Sequence, residues 1–464
     1  MPLVQPDAPD PIARALFVPI SSLVLLLAGA ASVAAAPEPH GALPPAVEQA
    51  EEDAAKWLQR QMVPNDVVPS PDPSRRRLLV SYRVPADDPA YRYVYGRSFV
   101  YDDALGAIAF TMLGRYREAE FILNALGHLV RADGSLWFGY NTQNNWPSEN
   151  DHEGAIIRTG AVAWVGYAFT YYLGVRTREN AELVQNDPIA ASYRRTALAI
   201  ASFLATSLVT DPSDTRRGLL TGGLGTSTVV AGLGSAAPTE HFDPAKARWV
   251  SMEHNIDAWF FLRDLARLTG QADLAASAEG IRGRLMDLWS ERDGQFLQGI
   301  HDDGSIDTAL PLDGASWGAL FLAAQGRDGQ ARRCAAAMQD RFSAEAAGVR
   351  GYRPYGPEPI YTDPRVNAYY FPASPGTRWQ DLPFVWGEGS LGAAGALART
   401  GQGEEAVKVM DSMRALAESG GVRYATSAVA WQFAAYPSVA STAWYIIAAE
   451  MLRGGPAAAS FWGP

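Results

Sequence analysis

Cysteine and basic residues are scarce in this chain of 464 residues. A single cysteine, Cys334, permits neither an internal disulfide nor a cysteine-based zinc site. The 39 Lys and Arg against 50 Asp and Glu give a net charge of −11, which argues against nucleic acid as a partner. The sequence also lacks HExxH, GxSxG, Walker and GxGxxG motifs, so metalloprotease, serine esterase and nucleotide-binding functions have no support. We expect no cofactor and no required metal ion.

Long apolar runs are absent except at the N-terminus. There, Arg14 precedes an apolar stretch that ends in small residues, with Val33 and Ala35 fitting a cleavage site. We therefore predict that residues 1–36 are a signal peptide or, if uncleaved, a membrane anchor, because the stretch is just long enough to span a bilayer. A linker, 37–45, follows. The expected location is periplasmic or extracellular, with membrane association only through an uncleaved segment.

The remaining chain repeats in architecture rather than in letters. Five times, a helix rich in small apolar residues is followed by an amphipathic helix and a short extended piece; the first unit is DDALGAIAFTMLG, a helix over 116–130, and GSLWFGYN. A sixth apolar helix, VASTAWYIIAAEML, has no partner after it, whereas the amphipathic segment 46–62 has none before it. This pattern predicts an all-α (α/α)6 toroid in one domain, 46–464, with an open superhelix of helix pairs as the alternative.

Glycines are expected to end the inner helices, because glycine readily adopts the left-handed conformation found there. The candidates are Gly114, Gly174, Gly270 and Gly401. The glycine-rich stretch GGLGTSTVVAGLGS has no phosphate-loop spacing, and we predict that it is an insertion loop.

This layout resembles the six-hairpin glycosidase superfamily, which includes glucoamylase-like hydrolases and family-8-type endoglucanases. The resemblance covers roughly residues 46–452. It rests on the architecture and on the acid- and aromatic-rich segments WPSENDHEG, SMEHNIDAW, LDGASW and FVWGEGS. It implies a carbohydrate-active enzyme. The segments match no single family, so no catalytic role is carried over.

Parallel inner helices would gather their N-terminal ends at one mouth of the ring. The loops leading into these helices concentrate acids and exposed aromatics, whereas the turns at the other end are plain polar. Sugar rings stack on aromatic faces, and their hydroxyls need amide and carboxylate partners, so we predict a carbohydrate substrate and a monomeric protein. The predicted substrate-binding residues are Tyr101, Asp102, Trp137, Tyr140, Asn141, Trp146, Glu149, Asp151, His152, Glu153, His254, Asn255, Asp257, Asp313, Trp317, Trp379 and Trp386.

Glycoside hydrolysis needs two carboxyl groups across the bond, one protonated and one ionised. We predict Glu253 and Glu388 for these roles, with Asp103 as the substitute for either. Acids at helix N-termini also suit the helix dipole, so a capping role is the alternative for each. Inverting chemistry is preferred, because a wide mouth leaves room for the attacking water.

Three other functions remain open on the same ring. A sugar epimerase would use His152 and His254 as bases. A polysaccharide lyase acting on an acidic sugar would use arginines, for which Arg97, Arg158, Arg353 and Arg378 are the candidates. A glycan-binding ring without catalysis is the third.

Overall fold

The computed structural model describes residues 42–88, 91–143, 156–230, 239–430 and 433–464. These residues lie in one compact unit, Ala36–Pro464. The predicted signal or anchor segment, 1–36, lies outside the described residues, and so do the predicted site residues Trp146, Glu149, Asp151, His152 and Glu153. Among the described helices, none combines the length and apolar character needed to cross a membrane.

Helices dominate the chain. In order they are α1 Pro45–Gln61, α2 Tyr91–Val94, α3 Val100–Met112, α4 Tyr116–Leu129, α5 Thr159–Glu179, α6 Ala181–Asn186, α7 Pro188–Ser207, α8 Met252–Thr269, α9 Ala272–Leu285, α10 Leu312–Ala323, α11 Asp328–Ala337, α12 Pro364–Tyr370, α13 Gly387–Arg399, α14 Gly403–Met413, α15 Val439–Arg453 and α16 Pro456–Ser460. Short 3-10 turns cover Pro73–Arg75, Met286–Leu288, Trp379–Asp381 and Arg414–Leu416, and a π-helical turn covers Met338–Phe342.

Six of these helices form a closed inner ring. Helix α3 packs on α5, α5 on α8, α8 on α10, α10 on α13, α13 on α15, and α15 returns to α3. Each inner helix also packs on one outer helix: α4, α7, α9, α11, α14 and α1 respectively. The predicted (α/α)6 toroid is confirmed, and the open superhelix is wrong.

The sixth hairpin is built from the two ends of the described chain. Helix α1 packs against α15, although the other ten helices of the ring lie between them in the sequence. Arg453, the last residue of α15, donates to Glu51 of α1 over 2.8 Å. Burial raises the pKa of Glu51 to about 7, and the adjacent Arg453 guanidinium opposes this rise. The ion pair therefore joins the two helices at a buried contact.

Small residues let the inner helices approach closely. A Cβ added at Gly166 of α5 would lie 2.4 Å from the ring of Phe261 on α8. A Cβ at Gly392 of α13 would lie 2.7 Å from the Trp317 ring of α10. Glycine thus makes room for large aromatics, which explains why helices rich in small residues form the inner ring.

The helix ends follow the expected chemistry with one exception. Ser251 and Ser438 cap α8 and α15 by accepting backbone hydrogen bonds. Gly270 ends α8 at a φ of 72°. The sequence predicts that Gly174 ends α5, but the helix continues to Glu179, so this prediction is wrong.

Strands occur in the connections and, apart from β4 and β5, have at most four residues each. They are β1 Arg97–Phe99, β2 Gly139–Asn141, β3 Ile157–Arg158, β4 Gly223–Val230, β5 Thr239–Ala247, β6 Val250–Ser251, β7 Trp289–Ser290, β8 Gln295–Phe296, β9 Gly299–Ile300, β10 Ile306–Asp307, β11 Ser343–Ala346, β12 Val349–Tyr352, β13 Ala417–Glu418 and β14 Gly421–Val422. The antiparallel sheets are β1–β2, β3–β4–β5, β10–β9–β6, β7–β8, β11–β12 and β13–β14. The glycine-rich stretch predicted as a loop begins with strand β4, whose partner β5 pairs Thr226 with Asp243.

Candidate active site

Acidic side chains occupy equivalent positions in several inner helices. Glu253, Asp313 and Glu388 are each the second residue of an inner helix, in α8, α10 and α13. Tyr101 and Asp102 are the second and third residues of α3. With Asp257, one turn further along α8, these acids influence one another's protonation. We call Asp102, Glu253, Asp257, Asp313 and Glu388 the mouth carboxyl cluster.

Glu388 is held by hydroxyl groups. The Tyr101 hydroxyl donates to its Oε1 over 2.7 Å, and the Tyr424 hydroxyl forms a second hydrogen bond with the carboxyl group. Burial raises the pKa of Glu388 to about 6, and the two hydroxyls oppose this rise because they stabilise the ionised form. Glu388 is therefore ready to accept a proton near neutral pH.

Glu253 has different surroundings. It is half-buried, and among the residues that the structure describes none forms a hydrogen bond with its carboxyl group. Burial raises its pKa to about 7, and the negative charge of Glu388 adds to the rise. The environment therefore favours the protonated form of Glu253 more than that of Glu388.

The other members of the cluster keep their protons more firmly. Burial raises the pKa of Asp257 well above its usual range, and the charge of Glu253 adds to it. Burial also raises the pKa of Asp313 well above its usual range, and the charges of Glu253 and Glu388 add to the rise. Within the described structure, Asp313 Oδ1 is buried without a hydrogen-bond partner. Burial and the Glu388 charge likewise raise the pKa of Asp102. An unpaired buried carboxyl oxygen is unfavourable unless a ligand contacts it, so Asp313 is suited to hydrogen-bond a polar ligand.

Tryptophans form the layer beneath these acids. Trp164, Trp317 and Trp444 are each the sixth residue of an inner helix, and Asp257 has the same position in α8. We call the three the floor tryptophans. Trp317 Nε1 donates to Asp257 Oδ1 over 3.1 Å, and Trp444 Nε1 donates to the Tyr101 hydroxyl over 3.0 Å. The sequence predicts that Trp317 binds substrate, but it is 3% exposed and orients Asp257 instead.

Two predicted polar site residues have structural contacts. Asp103, the substitute catalytic acid, accepts hydrogen bonds from Leu79 N at 2.7 Å and from the Ser98 hydroxyl at 2.6 Å. Asn255 is fully buried; its Oδ1 accepts from Leu220 N, and its Nδ2 donates to the carbonyls of Leu220 and Ser251. These groups are occupied in tying connections to α3 and α8, so neither side chain suits the predicted role.

Two mouth aromatics belong to a second apolar core. Trp379 is 1% exposed and packs with Phe384 and Phe433. Trp386 is half-buried, and its ring lies against Phe433 and the backbone of Gly389. The sequence predicts exposed stacking surfaces here, and that is wrong for Trp379. Both rings instead fix the loops that line the mouth.

Three further predicted residues have their contacts elsewhere. Trp137 lies under the Arg131 guanidinium at 4.6 Å. Tyr140 is buried, and its hydroxyl accepts from Trp137 N and donates to Leu129 O. Asn141 Oδ1 accepts from Gln143 N in a turn. None of these contacts reaches the mouth carboxyl cluster.

His254 is held as a neutral side chain. Its Nδ1 lies 3.2 Å from the Thr159 hydroxyl, and its ring packs on Trp249 and on Gly160. Burial lowers its pKa to about 3, and the nearby Arg158 adds to the effect. Such a histidine is a weak base at neutral pH.

Two tyrosines of the site are absent from the sequence predictions. Tyr424 follows strand β14 and forms a hydrogen bond with Glu388. Tyr355 follows β12; burial raises the pKa of its hydroxyl, and the nearby charges of Asp313 and Glu253 add to the rise. Both lie in the extended pieces that follow outer helices. Because outer helices run back toward the mouth, those pieces also reach it, and this signal could have found both residues.

In the part of the chain that the structure describes, no group of three or more His, Cys, Asp or Glu side chains is placed to hold a metal ion. The expectation that no metal ion is required stays a prediction.

Comparisons with known proteins show the fold. No family model matches the sequence, and no curated protein matches it. Solved structures do match: one is a glycosidase variant in complex with glucose (12% identity, TM-score 0.57, covering 88% of this chain and 96% of that one). A D-mannose isomerase is also similar, with 11% identity and a TM-score of 0.53. The match covers 88% of this chain and 96% of the isomerase. A third similar structure is a GH63 mannosylglycerate hydrolase from Thermus thermophilus in complex with glucose, with 15% identity and a TM-score of 0.52. The match covers 86% of this chain and 99% of the hydrolase.

Proposed function

We propose that this chain is a glycoside hydrolase that cleaves an uncharged oligo- or polysaccharide, with Glu253 as general acid and Glu388 as general base. The observation that supports it is a pair of glutamates at the same depth of the ring in different surroundings. Tyrosine hydroxyls stabilise the ionised form of Glu388, whereas burial and like charge favour the protonated form of Glu253. Two carboxyl groups with separated proton affinities are what the reaction requires.

In the proposed step, Glu253 gives its proton to the glycosidic oxygen as the bond from that oxygen to the anomeric carbon breaks. Glu388 takes a proton from water, whose oxygen forms the new bond to the anomeric carbon from the opposite face. The products are a free alcohol and a sugar of inverted configuration, which proton NMR of the first product detects.

The electrostatics of the mouth favour an uncharged sugar. The ionised Glu388 would repel a carboxylate on the substrate, and the protonated members of the cluster carry no positive charge that could offset the repulsion. Three of the arginines that a lyase would need are engaged elsewhere: Arg158 donates to Gly225 O, Arg378 to Asp381, and Arg97 packs on Phe99. A lyase acting on uronates is therefore disfavoured.

An isomerase or epimerase is the second candidate, because a D-mannose isomerase shares the fold. The neutral His254 argues against it, since a histidine with a pKa near 3 is a weak base. Product analysis separates the two: an isomerase converts free mannose without cleaving a bond to an aglycone, whereas a hydrolase releases the aglycone. Unsaturated products would indicate a lyase.

The test uses amide variants and two leaving groups. A panel of oligosaccharides and aryl glycosides identifies a substrate for the wild-type protein. Glu253→Gln and Glu388→Gln should then each lose about 10²–10⁴-fold in kcat, because the amide cannot transfer a proton. An aryl glycoside with a good leaving group needs no protonation, so it should restore turnover in Glu253→Gln only.

The matched control is Glu405→Gln. Glu405 also lies in the first turn of a helix, α14, but it pairs with Lys408 on an outer helix. Its variant should retain wild-type turnover. Near-wild-type kcat in both mouth variants would overturn the assignment of the pair, and binding of glycans without any turnover by the wild-type protein would favour the non-catalytic ring.

A further inference from the structure

The segment Pro456–Pro464 crosses the end of the ring opposite the mouth. Side chains in the C-terminal halves of three inner helices donate hydrogen bonds to its carbonyl groups. Tyr171 donates to Ala457 O over 2.8 Å, Arg399 to Phe461 O over 2.8 Å, and Arg267 to Pro464 O over 2.9 Å. The segment is thus fixed to α5, α13 and α8 at once.

This segment inserts two aromatic side chains, Phe461 and Trp462, into the centre of the ring, and the two are stacked with their centroids 5.4 Å apart. Trp462 is 1% exposed and stacks on Phe260 of α8, with the ring centroids 4.5 Å apart and the planes 3° from parallel. Its φ is 48°, a conformation that bulky residues rarely adopt. Its backbone N donates to the Tyr167 hydroxyl over 3.0 Å. Such an unfavourable conformation persists only where the surroundings enforce it.

The Trp462 ring contacts two of the floor tryptophans. The centroid of Trp164 lies 5.0 Å away and that of Trp317 5.6 Å away. Trp317 donates to Asp257, whose protonation is coupled to the charge of Glu253. Trp164 packs edge-on against Tyr101, which donates to Glu388. Each member of the proposed catalytic pair is therefore linked to Trp462 through a single floor tryptophan and one polar side chain.

We infer that Trp462 is a positioning residue: its side chain supports Trp164 and Trp317 from below and so determines where Asp257 and Tyr101 lie. This inference rests on the proposed glycosidase site. In a close-packed interior, removing the Trp462 indole leaves a cavity on the axis of the helical ring, and the floor tryptophans can relax into that cavity. The carboxyl cluster then loses its alignment, although no residue of the cluster has changed.

The test compares two buried tryptophans. Trp462→Ala removes the support, and Trp57→Ala is the control, because Trp57 is 3% exposed but lies in the outer helix α1 against Gly421. Both variants should lower the melting temperature. Only Trp462→Ala should lower kcat on the aryl glycoside, by about 10²-fold, which is the usual effect of misplacing catalytic groups by about 1 Å. Trp462→Phe, which leaves a smaller cavity, should recover most of the loss.

Two measurements go beyond stability. Indole added to Trp462→Ala should fill the apolar cavity and restore both the melting temperature and kcat, whereas in Trp57→Ala it should raise only the melting temperature, because kcat there is already at the wild-type level. Infrared titration of the carboxyl groups needs no substrate: the buried acids should titrate at a different pH in Trp462→Ala and at the wild-type pH in Trp57→Ala.

The outcomes separate this inference from the proposed function. Equal losses of kcat in Trp462→Ala and Trp57→Ala with unchanged carboxyl titrations overturn the positioning role, and so does indole that restores stability without turnover. If the wild-type protein cleaves no glycoside, the proposed function fails, and the infrared titration still decides whether Trp462 positions the cluster. If Trp462→Ala does not fold, Trp462→Leu, which leaves a smaller cavity but no aromatic ring under the floor tryptophans, takes its place in the same comparison.

Discussion

Tyr101 and Glu388 lie 287 positions apart, and the hydroxyl of the first donates to the carboxyl oxygen of the second over 2.7 Å. The bond joins the first inner helix to the fifth. Trp444 Nε1 donates to the same hydroxyl, so the phenol oxygen cannot turn away from the mouth without losing a second contact. The first consequence concerns the ionisation of Glu388.

Tyr101→Phe should raise the pKa of Glu388, because the ionised carboxyl loses a donor that stabilises it. A hydrogen bond to a charged group is worth enough to move a pKa by about one unit. The acidic limb of kcat/KM against pH should therefore move upward by about one unit. Tyr445→Phe is the control, because the buried Tyr445 hydroxyl has no hydrogen-bond partner in the described structure. An acidic limb at the same pH in both variants would refute the role of Tyr101.

The pH dependence of the wild-type protein follows from the same two acids. The proposed mechanism requires Glu388 ionised and Glu253 protonated, and their pKa values are about 6 and about 7. Below about pH 6 Glu388 gains a proton, and above about pH 7 Glu253 loses one, so kcat/KM should peak between about 6 and 7. Glu253→Gln, assayed with the good leaving group, should lose the alkaline limb and keep the acidic one. An unchanged alkaline limb in that variant contradicts the assignment.

Asp313→Asn should stabilise the folded protein near neutral pH. Burial and like charges raise the pKa of Asp313 in the folded state, so its carboxyl group favours the folded state fully below the unfolded pKa and progressively less as the pH rises. Removing the carboxyl group should raise the melting temperature by roughly 1–2 °C at about pH 7.5 and have little effect at about pH 4. Calorimetric scans at both pH values measure this. A uniform shift at both pH values would point to packing rather than ionisation.

Trp386→Ala should destabilise the protein, by about 3 kcal/mol, because the ring packs against Phe433 and Gly389 at the junction of two apolar clusters. Trp137→Ala serves for comparison, since the Trp137 ring is partly exposed and lies under the Arg131 guanidinium. It should cost about 1 kcal/mol. Urea titrations provide both values. Equal losses would show that Trp386 does not hold the mouth loops.

Export remains a proposal from the sequence. We expect the N-terminal segment to be removed after about Ala35, because its apolar run ends in small residues. Mass spectrometry of the protein from its native host determines the first residue. An intact Met1 in a cytosolic fraction would refute export, and an intact Met1 in the membrane fraction would show an anchor.

The fold could be predicted from the sequence because the two kinds of helix differ in composition. Inner helices such as α13 are apolar and rich in glycine and alanine, and outer helices such as α14 have one buried face. That difference, repeated six times, predicts both the ring and the pairing of α1 with α15. The hairpin of β4 and β5 was missed, because glycine-rich sequence is equally typical of loops and of twisted strand pairs.

The candidate site could be predicted only in part. The sequence places acids such as Glu253 and Glu388 at the starts of inner helices, and the structure shows each as the second residue of one; their catalytic roles stay a prediction. Composition could not separate them from Asp103, since adjacent residues of a helix point in different directions and only the structure shows that Asp103 faces Leu79 and Ser98. The position of Trp379 in a long connection predicts an exposed side chain, yet that connection has an apolar core of its own.

The ion pair between Glu51 and Arg453 spans 402 positions of the chain. Before α15 has been synthesised, the apolar face of α1 has no partner, so the sixth hairpin cannot assemble during synthesis in the order in which the other five can. Closure of so long a loop comes late in folding and leaves the interior open until then. Folding of the ring should consequently be cooperative, and an incomplete chain should expose two helix faces at once and be prone to aggregate.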